Sequence, residues 1–469
     1  MYIKVAKVNI LVENLGIPRM PSHLTLRPYQ EQAINNWFAN RGRGILKMAT
    51  GTGKTITALA IATQLYQKIS LQVLIVVCPY RHLVTQWGRE CEKFAFQPIL
   101  AFENVNAWQN QLSTILYNIH SGNKKFISII TTNSTFISDS FQSQLKYFPE
   151  KTLIIGDEAH HLGSPKLEKS LPKNFGLRLA LSATPERYFD SQGTTAILDY
   201  FGQVLQPELT LANAIQQGAL ARYLYYPILV ELTESESRDY VKLTSKIGWA
   251  LLLSEKRNVK IEKEDLTALL MQRSRLIASA KNKLTALKKL MLNRLQTTHT
   301  LFYCGDGWVE KNNISNLRQM EAVVKVLGSE LGYRVNTYTS ETSIKTREKL
   351  RKQFENGELQ GLVAIRCLDE GIDIPAIKNA VILASSQNPR QFIQRRGRIL
   401  RPHSSKERAT LFDMIVLPPD MGRSTLAIER NLLKKELKRF LEFADLADNA
   451  GEARVKLLSI QKKYGLLDI

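Results

Sequence analysis

The sequence predicts an α/β protein with two tandem doubly wound parallel-sheet domains, a helical insertion and a helical C-terminal tail. The main observation is an alternation of short apolar runs with helix-like stretches from about residue 26 to 220, which begins again further along the chain. Strands buried on both faces of a parallel sheet are apolar throughout, and their C-terminal ends carry the ligand site. The second observation is length, because 469 residues exceed what one core normally organises.

Each predicted strand of the first series is an apolar run that ends on small or polar residues. The clearest are "LQVLIVVCP", "FISIITT", "TLIIGDE" and "LRLALSAT". The second series comprises "YYPILVELT", "TLFYCGD", "YRVNTYTS", "GLVAIRCLDEG", "NAVILASS" and "ATLFDMIVL". Because the polar residues come at the ends of the runs, we expect the ligand site along that edge of the first sheet.

Helical spacing marks two further regions. Residues from about 234 to 295 carry Leu, Ile and Ala at intervals of three and four, without a strand signal. The last fifty residues are again helical in pattern and highly charged. We therefore predict a first domain over residues 1–222, a second domain over 223–418 that contains the insertion, and a C-terminal helical segment over 419–469.

The composition is typical of a soluble globular protein, with 44% hydrophobic and 23% charged residues. No apolar run is long enough to cross a bilayer, and the N-terminal residues lack the features of a signal peptide. Cys78, Cys91, Cys304 and Cys367 lie far apart without metal-ligand spacing, as expected of thiols in a reducing compartment. We predict a cytoplasmic location and no membrane association.

The net charge of +21 is spread over the whole chain. Up to residue 228 there are 22 Lys and Arg against 14 Asp and Glu, and the remainder has 42 against 29, so the two parts carry +8 and +13. A polyanion that neutralised these side chains would release condensed counterions, which favours a nucleic-acid partner. The alternative is a basic soluble enzyme without such a partner.

A glycine-containing loop separates an apolar strand from an apolar helix in the segment "ILKMATGTGKT", Ile45 to Thr55. Backbone N–H groups in such a loop can surround phosphate oxygens, because glycine leaves room for the approach. Lys54 would then reach the β- and γ-phosphates, and the Thr55 hydroxyl would hold Mg²⁺. Met48 stands where the strict pattern has its first glycine. A glycine-rich turn with a solvated lysine is therefore the alternative at this point.

A pair of acids ends the predicted strand in "TLIIGDEAHHLGS". Asp157 would hold Mg²⁺, and Glu158 would orient and deprotonate an attacking water. The pair lies about a hundred residues after Lys54, and one further strand signal follows it. That order is typical of an ATP-hydrolysing core, although acid pairs at strand ends also occur without such a role.

The segment "QFIQRRGRILRP" contains four arginines within seven residues, beside the apolar Ile399 and Leu400. In a two-lobed ATPase the second lobe supplies arginine fingers to the γ-phosphate that the first lobe holds. The alternative is a basic patch that binds nucleic acid.

In this order, the segments resemble the motifs of the superfamily 2 helicases and translocases. The matching segments are "LRPYQEQAI" for the adenine-reading Q-type motif, "MATGTGKT" for motif I, "CPYRHLVTQW" for Ia, "IITT" for Ib, "DEAH" for II, "SAT" for III, "CLDEGIDIP" for V and "QRRGRILR" for VI. The family's motif I tolerates Met48, which removes the earlier objection. The match at motif IV, near "TLFYCGD", is weak. The resemblance covers about 400 residues and implies two RecA-like domains.

The residues found in motifs V and VI indicate which branch of this family the chain resembles. DEAD-box RNA helicases usually have an arginine where Glu370 stands. "EGIDIP" with "QRRGRILRP" looks more like XPB-type repair helicases and the motor subunits of type I and type III restriction systems, which act on double-stranded DNA. The helical insertion and the tail are similar to those of helicase-like proteins from bacterial DNA-modification and restriction loci.

The resemblance implies a role for each matching residue, with ATP and Mg²⁺ as the cofactors. Catalytic roles fall on Lys54, Asp157, Glu158, Gln394, Arg398 and Arg401. Nucleotide binding falls on Arg27, Gln30, Thr50, Gly51, Thr52, Gly53, Lys54, Thr55 and Asp373, and Mg²⁺ binding on Thr55 and Asp157. Ser182 and Thr184 would couple the nucleotide state to strand contacts, and His160 would link the two lobes.

The resemblance therefore predicts an ATP-dependent DNA helicase or double-stranded DNA translocase that acts in repair, restriction or defence. DNA is favoured over RNA as the partner, and cleavage would require a nuclease or modification-system protein. Two alternatives remain at this point: an ATP-dependent RNA helicase, and a nucleotide-switched module that recruits a DNA-processing complex.

Overall fold

The computed structural model describes residues 16–187, 190–257, 263–305, 307–311, 316–339, 342–365, 374–384, 397–419 and 423–468. The chain divides into two compact units, the first ending at Ala214 and the second beginning at Ile215. Each unit contains a parallel sheet with helices packed on it. The predicted α/β class with two tandem parallel-sheet domains is therefore confirmed, whereas the finer domain bounds stay a prediction.

The first unit is built on a seven-stranded sheet in the order β3-β4-β2-β5-β6-β1-β7. Its strands are β1 (Arg43–Met48), β2 (Val73–Cys78), β3 (Pro98–Ala101), β4 (Ile127–Thr132), β5 (Thr152–Asp157), β6 (Leu177–Ser182) and β7 (Val204–Leu209). All neighbouring strands pair in parallel. The C-terminal ends of β1, β5 and β6 therefore meet at one edge, where the phosphate-loop and acidic segments begin.

Helices cover the faces of the first sheet and bury a core of aliphatic and aromatic side chains. They are α1 (Pro28–Ala39), α2 (Lys54–Ile69), α3 (Arg81–Lys93), α4 (Val105–His120), α5 (Asn133–Phe136), α6 (Asp139–Gln142), α7 (Pro165–Ser170), α8 (Ser191–Phe201) and α9 (Leu211–Gln216). Short 3₁₀ turns occupy Leu145–Tyr147 and Ala159–His161. Every side chain of β2, β4 and β5 is buried, as expected of central strands in a doubly wound sheet.

The second unit contains a six-stranded parallel sheet in the order β12-β13-β9-β14-β15-β8 and a separate antiparallel pair, β10 with β11. The strands are β8 (Arg222–Glu231), β9 (Thr300–Cys304), β10 (Trp308–Lys311), β11 (Asn316–Arg318), β12 (Val335–Tyr338), β13 (Gly361–Ile365), β14 (Asn379–Ile382) and β15 (Arg408–Leu417). Its helices are α10 (Glu234–Arg257), α11 (Lys263–Ala278), α12 (Asn282–Leu292), α13 (Gln319–Val324), α14 (Ile344–Glu355), α15 (Arg423–Asp445) and α16 (Ala450–Tyr464), with a π-helical turn at Lys325–Glu330.

The chain after α15 runs along the outer side of β8, the last strand of the second sheet. The backbone N–H of Asp448 donates to the carbonyl of Tyr223 at 2.8 Å. The side-chain amide of Asn449 accepts from the Tyr225 N–H at 2.8 Å and donates to the Tyr225 carbonyl at 3.0 Å. The Asn449 amide thus forms both hydrogen bonds that a neighbouring strand would offer to Tyr225.

A buried charged cluster connects the helical insertion to the tail. Arg273 of α11 and Glu429 of α15 are 1% and 0% exposed, and their side chains form an ion pair at 3.2 Å. The Tyr240 hydroxyl of α10 donates to the same Glu429 carboxylate at 2.7 Å. Burial raises the pKa of the Glu429 carboxyl, and the nearby Arg273 charge opposes that rise. The insertion and the tail therefore pack together within the second unit.

Within the ranges described above, no helix is both long enough and apolar enough to cross a lipid bilayer. The cytoplasmic location expected from the sequence stays a prediction.

Candidate active site

The loop between β1 and α2 has the backbone conformation that a phosphate loop requires. Gly51 and Gly53 have φ angles of 90° and 89°, in the left-handed region that glycine adopts without strain. A Cβ atom on Gly53 would lie 2.6 Å from the Gln30 side-chain nitrogen, so a larger residue would displace the Gln30 amide from its place beside the loop. Gly53 is also the N-cap of α2, which places Lys54 and Thr55 in the first turn of that helix.

Residues of α1 hold this loop from outside. The Tyr29 hydroxyl donates to the Thr52 carbonyl at 2.7 Å, and the Gln30 amide donates to the Gly53 carbonyl at 3.3 Å. The Gln30 side-chain oxygen accepts from the Arg27 N–H at 2.9 Å. The structure thus brings the predicted Arg27 and Gln30 next to the loop. Their predicted reading of adenine stays a prediction, whereas the loop support from Tyr29 was not foreseen.

Two side chains test whether the loop fits a nucleotide phosphate. The Lys54 ammonium donates to the carbonyls of Met48 and Ala49, at 2.9 Å and 3.4 Å. The Thr50 hydroxyl is buried and has no hydrogen-bond partner among the residues that the structure describes. Helix N-termini with open amides bind anions readily, and a buried orphan hydroxyl is costly unless something pairs with it. The residues present therefore fit a bound phosphate group.

The acidic motif sits at the end of β5, where two groups orient the Asp157 carboxylate. The Trp87 indole N–H of α3 donates to Asp157 Oδ2 at 2.8 Å, and the Glu158 backbone N–H donates to Oδ1 at 3.0 Å. Both Trp87 and Asp157 are buried. Magnesium is usually held by one or two carboxylates together with substrate phosphates, so a single fixed Asp157 fits that ion.

Glu158 has a backbone conformation that is costly for a residue with a side chain. Its φ angle is 46°, in the left-handed region, where strain of this kind is typical of functional sites. Its carboxylate lies 3.5 Å from the Nδ1 atom of His160, and the His160 ring is 4.3 Å from that of His161. His160 therefore contacts the predicted general base directly. Its predicted link to the second lobe stays a prediction.

Arg187 connects the acidic motif to the segment after motif III. Its guanidinium donates to the His160 carbonyl and to Asp190 Oδ2, the latter at 2.6 Å. Asp190 in turn accepts from the Gly193 N–H at 2.8 Å. Gly193 packs so closely on Gly163 that a Cβ at Gly163 would lie 2.2 Å from the Gly193 carbonyl oxygen. Through these contacts, Arg187 and Asp190 brace the acidic motif.

Motif III follows β6, next to the strand that leads into the phosphate loop. Ser182 is fully buried, lies opposite Lys47 in the register of β1 and β6, and accepts from the Thr184 N–H at 3.2 Å. Lys47 pairs with Glu186 at 2.8 Å and with Glu208 at 3.2 Å. The predicted coupling role of Ser182 and Thr184 stays a prediction.

The described part of motif VI is a helical turn at residues 397–399 in the second unit. Arg398 is 7% exposed, and Arg401 follows with its N–H donating to the Arg398 carbonyl at 3.4 Å. Gln394 and Asp373 lie outside the described residues. The roles of Arg398 and Arg401 stay predictions.

Trp87 and Arg187 are functional candidates that sequence reasoning missed. Trp87 was quoted within motif Ia without a role, because it is 70 residues from Asp157 and no spacing connects the two. The only signal for Arg187 was its position directly after motif III.

Taken together, the first unit has a phosphate loop after its first strand and a braced acid pair after its fifth, on one edge of a parallel sheet. This fold and site define a phosphate-loop ATPase core.

Comparison with known proteins extends this assignment. Residues 23–187 match the family model for the res subunit of type III restriction enzymes, and residues 282–403 match the helicase conserved C-terminal domain. A DNA 3'-5' translocase XPB2 from Sulfurisphaera tokodaii is 27% identical over 410 residues, which cover 83% of this chain and 82% of the relative. A putative DNA 3'-5' helicase Rad25 from Haloarcula marismortui is 25% identical, over 82% of this chain and 51% of the relative.

Two solved structures share the fold. A DNA-bound type ISP restriction-modification enzyme, LlaBIII, matches with a TM-score of 0.55 and 18% identity, over 90% of this chain and 30% of that one. The helicase domain of Hef from Pyrococcus furiosus matches with a TM-score of 0.52 and 14% identity, over 84% and 96%. These likenesses show that both units are RecA-like. The two family matches and the XPB2 relative support a superfamily 2 helicase or translocase that is related to XPB and to restriction motors and hydrolyses ATP.

Proposed function

We propose that this protein is an ATP-driven motor that moves along double-stranded DNA, in repair, restriction or defence. The observation that carries the ATPase part is the acid pair at the end of β5, where Trp87 fixes Asp157 and His160 contacts Glu158. The choice of DNA is supported by the names of two relatives, which are a DNA translocase and a DNA helicase. Several relatives are much longer than the matched region, so their whole activities do not transfer directly.

The proposal assigns each residue a separate task in ATP hydrolysis. Lys54 binds the β- and γ-phosphates, and the backbone between Thr50 and Gly53 surrounds their oxygens. Thr55 and Asp157 would hold Mg²⁺, which neutralises developing charge on the phosphates when it is bound. Glu158 orients the attacking water and accepts its proton. In the second unit, Arg398 and Arg401 stabilise charge on the transferring phosphoryl group.

The remaining predicted nucleotide contacts belong to the same proposal. We assign adenine recognition to Gln30 and Arg27, whose positions beside the loop support that role. Gln394 and Asp373 are assigned by their match to motifs VI and V alone. No nuclease motif is recognisable in the sequence, so cleavage would need a partner protein.

The basic surface would hold the phosphate backbone rather than read bases. Phosphate contacts carry no sequence information, so we expect tracking that does not depend on sequence. The affinity for duplex DNA should fall with salt, with a log–log slope of about −0.9 for each phosphate neutralised.

The decisive experiment compares ATPase activity with single-stranded DNA, duplex DNA, forked DNA and RNA at one salt concentration. We expect duplex DNA to stimulate turnover most. Stronger stimulation by RNA would replace the proposal with an RNA helicase. Turnover that stays absent with every nucleic acid, while ATP still binds, would favour a nucleotide-switched recruiting module.

A further inference from the structure

A buried lysine in the second unit joins two separate backbone segments. Lys406 is 7% exposed, and its ammonium group donates hydrogen bonds to three carbonyl oxygens. The acceptors are Pro375 at 2.8 Å, Ile377 at 2.9 Å and Ile399 at 3.0 Å. Three carbonyls match the three donors of an ammonium group, which explains how this charge tolerates burial.

The two segments are the end of motif V with the turn that follows it, and the turn that carries motif VI. Pro375 and Ile377 belong to the turn that enters β14, and Asp373 precedes that turn in the sequence. Ile399 ends the helical turn that carries Arg398. One side chain therefore sets the distance between the backbone at the end of motif V and the backbone of motif VI.

The local fold holds the motif VI turn from a second side. The Leu400 carbonyl accepts from the Ala221 N–H at 2.7 Å, just before β8 begins. The side chains of Ile399 and Leu400 are buried, at 1% and 0% exposure. Lys406 reaches its position because its own N–H closes a tight turn on the His403 carbonyl at 2.9 Å. The end of the turn is thus fixed by two neighbouring carbonyls and two apolar side chains.

We propose that Lys406 is a positioning residue for ATP turnover, which holds the turn bearing Arg398 and Arg401 at a fixed place relative to motif V. The inference depends on the arginine role given under the proposed function. A buried ammonium is a costly way to fill space, since apolar residues of similar volume are often as stable. Its three directed hydrogen bonds specify one arrangement of two segments, which apolar packing does less strictly.

The first test replaces Lys406 with methionine, which keeps the length of the side chain and removes its charge and donors. We expect kcat for ATP to fall by about 10²-fold, the loss that a misplacement of about 1 Å produces. The dissociation constant for ATP should change little, because most of the assigned nucleotide-binding residues lie in the first unit. Equal changes in both constants, or unchanged kcat in a folded variant, would overturn the inference.

A matched control separates positioning from general stability. Gln360 is 5% exposed, donates to the Leu295 carbonyl at 2.7 Å and accepts from the Arg334 N–H at 3.1 Å, at the same edge of the same sheet. Gln360→Met should lower the melting temperature and leave kcat close to that of the parent protein. If both substitutions slow turnover alike, Lys406 has only a structural role.

A double-mutant cycle with Arg398→Ala tests whether Lys406 acts through the arginine. The combined variant should lose less than the product of the two single losses, because part of the effect of Lys406 passes through Arg398, whereas independent losses that multiply would overturn the inference. Normal turnover in Arg398→Ala would instead defeat the arginine role on which the inference depends. If Lys406→Met does not fold, Lys406→Arg carries the test, because the planar guanidinium cannot serve the same three carbonyls. We then expect a smaller loss of kcat at unchanged ATP affinity.

Discussion

The two units keep polar groups inside the protein in different ways. In the first unit the buried polar side chains are mainly hydroxyls and amides that bond to nearby backbone, such as Tyr29, Gln30 and Thr52 around the phosphate loop. In the second unit several are charged. The charged members in the described part of that unit are Arg273, Lys283, Arg398, Lys406, Asp413 and Glu429.

This difference indicates how each unit holds its functional side chains in place. A hydrogen-bonded neutral group costs less to bury than a charge and fixes only its near neighbours, which is sufficient for a loop that is proposed to bind phosphate through its own backbone. A buried charge is expensive, and it is tolerated where several partners converge on it, as around Arg273 and Lys406. The buried cations also subtract from the basic surface, so the net charge of +21 overstates what faces a nucleic acid.

The largest expected effect lies at the buried Arg398 of the second unit. Arg398→Ala should reduce basal ATP turnover by about 10³–10⁵-fold and leave ATP binding nearly intact, because fingers of this kind stabilise only the transferring phosphoryl group. Lysine should rescue poorly, since a point charge does not reproduce the planar fork of arginine. Both quantities, ATP turnover by steady-state kinetics and ATP binding at equilibrium, should be measured on the same preparation.

The control for this variant is Arg408→Ala, which removes a half-exposed arginine from the same unit. It should turn over ATP like the parent protein. If the motif VI segment only bound DNA, Arg398→Ala would show the reverse pattern, with weak DNA binding and intact basal turnover. That result would end the finger assignment.

The next effect tests Glu158, the proposed general base of the first unit. Glu158→Gln should bind ATP and nucleic acid but lose about 10²–10⁴-fold in turnover. Glu168→Gln, at an exposed position of α7, serves as the control and should behave like the parent protein. Single-turnover ATP hydrolysis is the measurement, and near-normal hydrolysis by Glu158→Gln would remove this residue from the mechanism.

Trp87 allows a smaller and more specific test of the same unit. Trp87→Phe keeps an aromatic ring in the core and removes the indole donor to Asp157, so the carboxylate loses a group that orients it. Outer partners of this kind change metal affinity by about 10–100-fold, so we expect the Mg²⁺ concentration for half-maximal ATP binding and turnover to rise at least about 10-fold.

Trp37→Phe is the matched control, because Trp37 is also buried in the first unit and donates one indole hydrogen bond, to the Arg178 carbonyl at 3.1 Å. It should lose stability without a change in the Mg²⁺ requirement. Identical Mg²⁺ curves for both variants would show that the indole of Trp87 serves packing only.

The smallest effect concerns the cost of a buried charge in the second unit. Burial lowers the pKa of Lys283 from 10.5 to about 8, although the Asp413 carboxylate opposes the shift. The folded state therefore bears the full cost of the ammonium below pH 8, and this cost fades as pH rises from about 8 to 10.5. The free energy of unfolding of the parent protein should rise over that interval relative to Lys283→Met.

Urea unfolding at pH 7 and pH 10 provides this comparison. Lys288→Met, at an exposed position of the same helix, should show no such change relative to the parent protein. A difference between the parent protein and Lys283→Met that stays constant with pH would show that Lys283 does not titrate in this way.

The central strands and the position of the glycine loop were accessible from the sequence because their signals are local. Continuous apolar runs predicted β2, β4, β5 and β6, and the glycines of the phosphate loop follow β1 directly. The outer strands β3 and β7 were not among the clear signals. Each lies at an end of the sheet and has an exposed position, which interrupts the apolar run.

The groups that orient the site were not accessible, because they meet only after folding. Trp87 reaches Asp157 across 70 residues, and Lys406 reaches Pro375 across 31. Neither sequence separation corresponds to a known motif. A single lysine or tryptophan in a chain that contains many basic and aromatic residues does not by itself indicate an orienting role. The sequence predicted which residues perform chemistry, and the fold was needed to identify the residues that orient them.

The contact between Asn449 and β8 has a consequence for how this chain can be handled. β8 is ten residues long and stands at the end of its sheet, where unpaired backbone groups would act as a template for another strand. The segment around Asp448 and Asn449 occupies part of that template. A version shortened to end before residue 448 should therefore be prone to association between copies through β8, even with every motif intact. We therefore expect the tail to limit association between copies of the chain.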